Sequence, residues 1–437
     1  IFSFFFLFVL RGNTQEVEIL TLEDCLRIGI DNNLSLEGKR KEIQRSKYGV
    51  SENRSKLLPQ INAIAGYSNN FDPPVSVTDG SSYGVPYNIT QTLQHSANAG
   101  LEMQMPLFNQ TLYTSMSIAK VMEEISRLSY GKAREDVILQ ISKMYYLGQV
   151  TAEQIMLIKA NITRLEELRD ITQAFFDNGM SMEVDLKRVN INLENLKVQY
   201  DNAQAMMKQQ LNMLKYIMDY PAEKEIALTP VNTDSITTVA LTGLSENIYE
   251  LQLSQSQVQL AERQKKIITN GYIPSLSLTG SWRYAAYTDK GYHWFHSGPS
   301  NQWFRSYGVG LTLRIPIFDG LDKTYKIKKA MIDIENKRLA WEDARKNLQT
   351  QYLNAVNDLM NNQRNFKKQK DNYLLAEDVY AVTSDRYREG IASMTEVLQD
   401  EMQMSEAQNN YISAHYNYRV TNLMLLKLTG QIESLVK

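Results

Sequence analysis

The side chains with which this chain could do proton, metal or nucleophilic chemistry are four histidines (His95, His293, His296 and His415), one cysteine and 49 carboxylates. His293 and His296 stand close together, but they lie in a polar, aromatic-flanked loop stretch without a partner cysteine, so they read as solvated loop residues. Cys25 sits inside a helical pattern with Leu22, Leu26 and Ile28 and reads as a packing residue. A single cysteine also excludes an intrachain disulfide and any multi-cysteine metal site. No G-x-S-x-G turn, P-loop, G-x-G-x-x-G fingerprint or H-E-x-x-H pair occurs. The carboxylates are spread over charged helical stretches, where no acid–base pair stands apart. The sequence therefore offers no catalytic residue, no metal ligand set and no cofactor site, and it does not read as an enzyme. Lys and Arg total 47 against 49 Asp and Glu, a balance that argues against a nucleic-acid partner.

Stepping outward, residues 1–10 (IFSFFFLFVL) form an apolar run followed by polar RGNTQ. Residues 1–16 thus resemble a secretory signal segment, too short for the roughly 20 residues of a spanning helix. Beyond residue 10 no apolar stretch reaches the length of a spanning helix, so a membrane would have to be crossed by strands. Ten prolines in 437 residues suit long uninterrupted helices.

The chain repeats itself. LLPQINAIAGY (57–67) echoes YIPSLSLTGSW (272–282), MPLF (105–108) echoes IPIF (315–318), and FFDNGMSMEVDL (175–186) echoes YREGIASMTEVL (387–398). An offset of 211 carries Gly179 to Gly390, Tyr200 to Tyr411, Ala203 to Ala414 and Leu214 to Leu425. A constant register over that many positions is an internal duplication. It divides the chain into a first repeat, 17–225, and a second, 226–437.

Each repeat carries two runs of period-two alternation, predicting strands at about 60–71, 95–108, 273–287 and 303–318. In the last of these Tyr307, Val309, Leu311 and Leu313 share one side, with Gly308, Gly310, Thr312 and Arg314 on the other. The first run is the weakest, because Ile64 breaks its pattern. Such lengths cross a bilayer as tilted strands, although a soluble antiparallel sheet on a core alternates in the same way. Three of the four tryptophans, Trp282, Trp294 and Trp303, cluster at one hairpin with Tyr284, Tyr287, Phe304 and Tyr307, as an interfacial aromatic belt would. The stretches 72–94 and 288–302 are long and polar, like the outer loops of membrane barrels.

Helical sequence fills the rest. No proline interrupts the 73 residues from Pro106 to Gly179 or the 74 from Pro316 to Gly390, each a strut of roughly 100 Å at 1.5 Å per residue. Shorter helices are predicted at about 34–57, 181–218, 240–270 and 394–428. Val397, Met404, Ala407, Tyr411, Ala414, Tyr418 and Leu425 keep a coiled-coil rhythm. Leu186, Leu193, Leu196, Tyr200, Ala203, Met207 and Leu214 repeat that rhythm in the first half.

Taken in order, these motifs resemble the TolC family of outer-membrane efflux channels over nearly the whole chain. LTLEDCLRIGIDNNLSL (20–36) is similar to the family's opening helix with its Asn-containing break. The duplicated strand entries, the MPLF and IPIF exits and the two Gly turns complete the likeness. The resemblance implies a mainly α fold with a small β-barrel portion: a long coiled-coil-like helical barrel in the periplasm, and four strands per protomer of a trimeric twelve-stranded barrel in the outer membrane. Glu102, Arg283 and Arg314 would then line the lumen, and Trp282, Tyr284, Trp303 and Tyr307 would form the aromatic belt.

The same resemblance implies a homotrimer that contacts outer-membrane lipid and works with a periplasmic adaptor and an inner-membrane transporter, with no cofactor. It also puts the helix turns at Gly179 and Gly390 at the family's inner constriction, which makes Tyr387, Glu396, Gln399 and Asp185 the gate candidates. Carboxylates repeated around a narrow neck attract cations, yet Asp185 and Glu396 also suit the ordinary first turn of a helix. Ala392 stands where a tethering arginine is expected and Gln399 where a second acidic ring is. The functions that fit are a passive exit duct for small molecules, the exit channel of one-step protein secretion, and, in a different class, an exported soluble coiled-coil protein.

Overall fold

The computed structural model describes residues 17–72, 76–84, 86, 89–91, 94–230, 243–288 and 303–436. The signal-like segment 1–16 lies outside them, as do His293, Trp294 and His296. In chain order the elements are β1 (Glu18–Leu20), α1 (Leu22–Asn32), α2 (Leu34–Ser55), β2 (Gln60–Asn69), β3 (Ser76–Thr78), β4 (Ile89–Gln91), β5 (His95–Phe108), α3 (Gln110–Asp177), α4 (Glu183–Met218), β6 (Ile226–Leu228), α5 (Tyr249–Asn270), β7 (Ser275–Thr288), β8 (Trp303–Arg314), α6 (Asp322–Arg388) and α7 (Met394–Leu428). The fold is mainly helical with one four-stranded sheet, and α3 and α6 run 68 and 67 residues.

Two compact units form, and neither is a sequence repeat. The first gathers the described parts of Ile1–Glu42, Arg127–Ser254 and Ala340–Lys437; the second gathers Ile43–Ser126 and Gln255–Leu339. Each unit therefore draws on both halves of the chain.

In the first unit, β1 and β6, which open the two halves, pair in parallel from Glu18 opposite Ile226 to Leu20 opposite Leu228. Thr21 and Asp24 form a capping box that starts α1, with Thr21 Oγ1 accepting from the Asp24 amide and Asp24 accepting from the Thr21 amide. Asn33 makes the break after α1: its Oδ1 accepts from the Leu36 amide while its Nδ2 donates to the Ile217 carbonyl at 2.7 Å. Leu26, Ile138, Ile141, Leu214 and Met218 are buried around this corner, and Cys25 packs among them with its thiol pushed up to about 12 by burial. That environment keeps the thiol protonated and unreactive.

Further along this unit, Leu165 and Leu168 of α3, Val189 and Leu193 of α4, Tyr380 and Tyr387 of α6, and Val397 and Met404 of α7 form a second buried cluster. The seven-residue rhythm puts them there, since 3.5-residue spacing keeps one stripe of each helix facing its neighbours. Phe366 stacks on Tyr411 and Tyr418, both at 5.8 Å between ring centres.

The second unit holds the sheet, in the order β2-β5-β7-β8 and antiparallel throughout. Its centre is the β5–β7 pair, one strand from each half of the chain. Leu101 stands opposite Trp282, which stands opposite Tyr307, so the alternating apolar residues of all four strands share one face. Ile64 falls on the polar face, opposite Gly100.

The strands depart from the sequence expectation at four ends, the smallest departure being that of β7, which ends at Thr288, one residue late. β2 stops at Asn69, two residues short. β7 begins at Ser275, just after Pro274, and β8 ends at Arg314 rather than 318. The reason at 315–318 is Pro316, which has no amide hydrogen to give to a ladder. Tyr287 and Phe304, grouped with the belt aromatics by sequence proximity, fall on the polar face by register.

Glu135 is 4% exposed on α3, and burial raises its carboxyl from the ordinary 4.5 to about 7, against the pull of Lys427. Glu433 and Asp136 push in the same direction as burial. Because the folded value is the higher one, Glu135 costs nothing below pH 4.5, and its stabilising protonated state is lost as pH rises through 7. The expected loss is on the order of 2 kcal/mol. Thermal unfolding of Glu135→Gln should therefore fall less between pH 5 and pH 8 than that of the parent; parallel pH profiles would refute it.

Candidate functional site

Two helix turns stand side by side in the first unit, α3 into α4 and α6 into α7, and both are built by the same device. Gly179 and Gly390 take φ of 68° and 76°, a left-handed conformation that only glycine adopts without strain. The Met180 amide donates to the Phe175 carbonyl at 2.8 Å and the Gly179 amide to Phe176 at 2.9 Å. The second turn repeats this from Ile391 to Arg386 and from Gly390 to Tyr387, at 2.8 and 2.9 Å. Both helices thus end in a Schellman motif.

Beyond the glycines the two copies part. Ser393 caps α7: its Oγ accepts from the Glu396 amide at 3.3 Å while Glu396 Oε2 accepts from the Ser393 amide at 3.0 Å. The matching position before α4 is Met182, which cannot cap. Asp185, the counterpart of Glu396, instead accepts from Arg188 Nη1 at 3.3 Å. Arg188 also reaches across to Thr395 Oγ1 at 3.4 Å and so bridges the two turns.

Tyr387 is buried, with its hydroxyl donating to Thr172 Oγ1 at 3.3 Å and its ring 5.6 Å from Phe175. Burial raises its phenol above the ordinary value, and nearby Asp185 adds to the rise. The turns enclose a cleft of about 710 Å³ lined by Asp185, Arg188, Tyr387, Arg388 and Glu389 among others. The structure thus brings Asp185 and Tyr387 together. Glu396 is held in its cap, and it and Gln399 are exposed outside the cleft lining. Sequence reasoning missed Arg188, which bridges the turns from α4, and Thr172, which accepts from the Tyr387 hydroxyl.

A second polar feature runs up α7. Glu401, Gln408 and His415 recur every seven residues and are buried against α3. Asn161 Nδ2 donates to Gln408 at 2.7 Å, and Arg164 pairs with Glu377 of α6 at 3.1 Å. Arg419 Nε donates to His415 Nε2 at 2.9 Å, and arginine cannot accept. His415 Nδ1 therefore carries the hydrogen and donates it to Glu153 at 3.3 Å. Burial raises the Glu153 carboxyl, but the bonds from His415 and Tyr411 outweigh it and leave the group below its ordinary value. The seven-residue recurrence of polar types beside the apolar stripe was the signal that could have revealed this column.

On the sheet, Arg283 stands opposite Gly100 and crosses diagonally to pair with Glu102. Register puts both on the polar face with Arg314. Trp282, Tyr284, Trp303 and Tyr307 share the apolar face, Trp282 and Tyr284 packing edge to face at 5.5 Å. Among the described residues no cluster of acidic, histidine or cysteine side chains could hold a metal ion, and no helix is long and apolar enough to cross a membrane.

Comparison with known proteins places these features in a family context. Residues 28–218 and 240–431 match the family model described as outer membrane efflux protein. The outer membrane protein TolC of Vibrio cholerae is 21% identical over 399 residues, covering 88% of this chain and 84% of its own. The probable efflux pump outer membrane protein TtgC of Pseudomonas putida is 23% identical over 431 residues, covering 94% and 82%. In structure, the open-state outer membrane channel MtrE of Neisseria gonorrhoeae superposes with a TM-score of 0.75 at 17% identity, over 94% of this chain and 88% of MtrE.

The unequal caps generate a paired test. Ser393→Ala should cost the first turn of α7 about 1 kcal/mol, and Met182→Ser should gain α4 a similar amount by recruiting Asp185 into a new capping box. Amide hydrogen exchange in the two first turns should speed and slow about fivefold respectively; unchanged exchange in both would show that the caps do not set local stability.

Proposed function

We propose, for a chain that belongs to the outer membrane efflux protein family, that three copies join their sheets into one twelve-stranded barrel and form the exit duct of a tripartite efflux pump for small molecules. The protein itself is an outer-membrane efflux channel, not an enzyme. What carries the finer reading is the sheet. Tyr307, Val309, Leu311 and Leu313 are 77, 80, 67 and 60% exposed on its apolar face, and among the described residues β2 and β8 each pair on one side only. Four strands cannot close a membrane barrel, for which about eight is the minimum, so copies must associate. The number three is what the family resemblance implies.

In that barrel the apolar face meets lipid, Trp282, Tyr284, Trp303 and Tyr307 sit at the headgroup level, and Glu102, Arg283 and Arg314 face the water-filled lumen. The helical unit extends into the periplasm. In this reading the energy comes from an inner-membrane transporter joined through a periplasmic adaptor, as the family resemblance implies. A small-molecule cargo is supported by two relatives from Pseudomonas putida, each 23% identical to this chain, the antibiotic efflux pump outer membrane protein ArpC and the toluene efflux pump outer membrane protein TtgC.

The inner turns are the gate. Tyr387 pins the end of α6 to α3 through Thr172 and Phe175, and Arg188 ties the two turns together. Opening requires these bonds to break, while Asp185, repeated in each copy, gives the neck a cation preference.

Two measurements test this reading. The parent should run as a trimer in detergent and form channels in planar bilayers, and Leu311→Pro should abolish insertion by removing a ladder bond where lipid offers no substitute. A water-soluble monomer would sink the barrel. In the same recordings Tyr387→Ala should raise closed-state conductance several-fold and Asp185→Asn should lower cation selectivity; traces like the parent's for both would place the constriction elsewhere.

A further inference from the structure

The apolar face of the sheet carries one formal charge among its described residues. Register places Leu101 of β5, Trp282 and Tyr284 of β7, and Arg305, Tyr307 and Val309 of β8 together on that face. Arg305 is the exception. It is exposed, it stands directly opposite Tyr284, and its guanidinium lies 5.9 Å from the centre of the Tyr307 ring.

We infer that Arg305, framed by Tyr284, Trp303 and Tyr307, is a binding subsite for the phosphate of an anionic lipid headgroup in the leaflet at the hairpin end of the sheet. This rests on the barrel reading above, in which the apolar face meets lipid. A charge on the lipid face is expensive at the bilayer midplane and nearly free at the interface, so Arg305 must stand at the border of the apolar band. The spacing agrees. A strand tilted about 40° climbs roughly 2.5 Å per residue, so the nine positions from Arg305 to the end of β8 at Arg314 span about 23 Å, close to the height of a barrel's apolar band.

The chemistry at that border favours phosphate. The planar guanidinium matches two phosphate oxygens at once, which an ammonium cannot do. An aromatic face beneath the guanidinium shields one side and leaves the in-plane donors free to turn outward. Among the described residues of these strands no carboxylate competes, because Glu102, the one acidic side chain they carry, lies on the opposite face and already pairs with Arg283. The other strand arginines, Arg283 and Arg314, lie on that polar face too and serve as internal controls.

The test is lipid retention by the full chain purified in mild detergent, read by native mass spectrometry after adding phosphatidylglycerol or phosphatidylcholine. The parent should hold phosphatidylglycerol at least fivefold more tightly than phosphatidylcholine. Arg305→Gln should lose that preference, Arg305→Lys should keep part of it, and Arg314→Gln should keep all of it. Millimolar inorganic phosphate should not displace the lipid. Equal retention by Arg305→Gln and parent overturns the subsite, and displacement by inorganic phosphate overturns the lipid as its ligand. A parent that is monomeric and needs no detergent would instead sink the barrel reading, so the two failures are distinguishable.

Discussion

The rest of the structure depends on the backbone hydrogen bonds at the two outer edges of one small sheet. Among the described residues β2 pairs with β5 and β8 with β7, each on one side, so each outer edge has no described strand beside it. In water such edges are tolerable; in hydrocarbon each unmet group costs several kcal/mol. On the barrel reading, association is therefore a condition of membrane residence rather than an addition to it. On the same reading the two edges, being different strands of one chain, would bring β2 of one copy against β8 of the next. That contact is heterologous, and heterologous contacts close into rings when the rotation allows.

The helical unit faces the opposite problem, too many equivalent ways to pack. Apolar seven-residue stripes on α4 and α7 would permit helices to slide by a heptad at little cost. The buried polar column of α7 opposes this. Gln408 meets Asn161, and His415 meets Glu153, both on α3, bonds that form in one register only. Buried polar groups of this kind add little net stability, since desolvation offsets most of the bond energy, but a slipped register would leave them unpaired. Register, rather than strength, is what the column secures.

Much of this was legible in the sequence because periodicity and duplication are one-dimensional signals. Alternation located four strands and the offset from Gly179 to Gly390 located both turns, while the Asn-containing break in 20–36 was visible without showing that Asn33 makes it. Ile64 could be recognised as irregular, although only register shows that it faces Gly100 on the polar side. What stayed hidden was three-dimensional. The division into units is not the division into repeats, because long helices such as α3 take part in both units. Arg188 lies in an unremarkable charged stretch and matters only because a turn from the other half comes within its reach. Tyr287 and Phe304 look like belt residues along the chain and prove otherwise once the pleat is counted.

Duplication sets the geometry twice, and the chemistry then diverges within it. Both turns keep the glycine and the Schellman bonds, since the backbone conformation leaves no alternative. Three residues later the constraint relaxes. At Ser393 the chain closes a capping box that takes up the Glu396 carboxylate; at Met182 it does not, and the Asp185 carboxylate pairs with Arg188 instead. A carboxylate held in a cap contributes to its own helix and little else. One facing a cleft beside a buried tyrosine can act on whatever enters the cleft or on a neighbouring turn. By leaving one of two equivalent helix starts uncapped, the sequence turns a symmetric scaffold into an asymmetric one, with a fixed end at α7 and a chemically available end at α4.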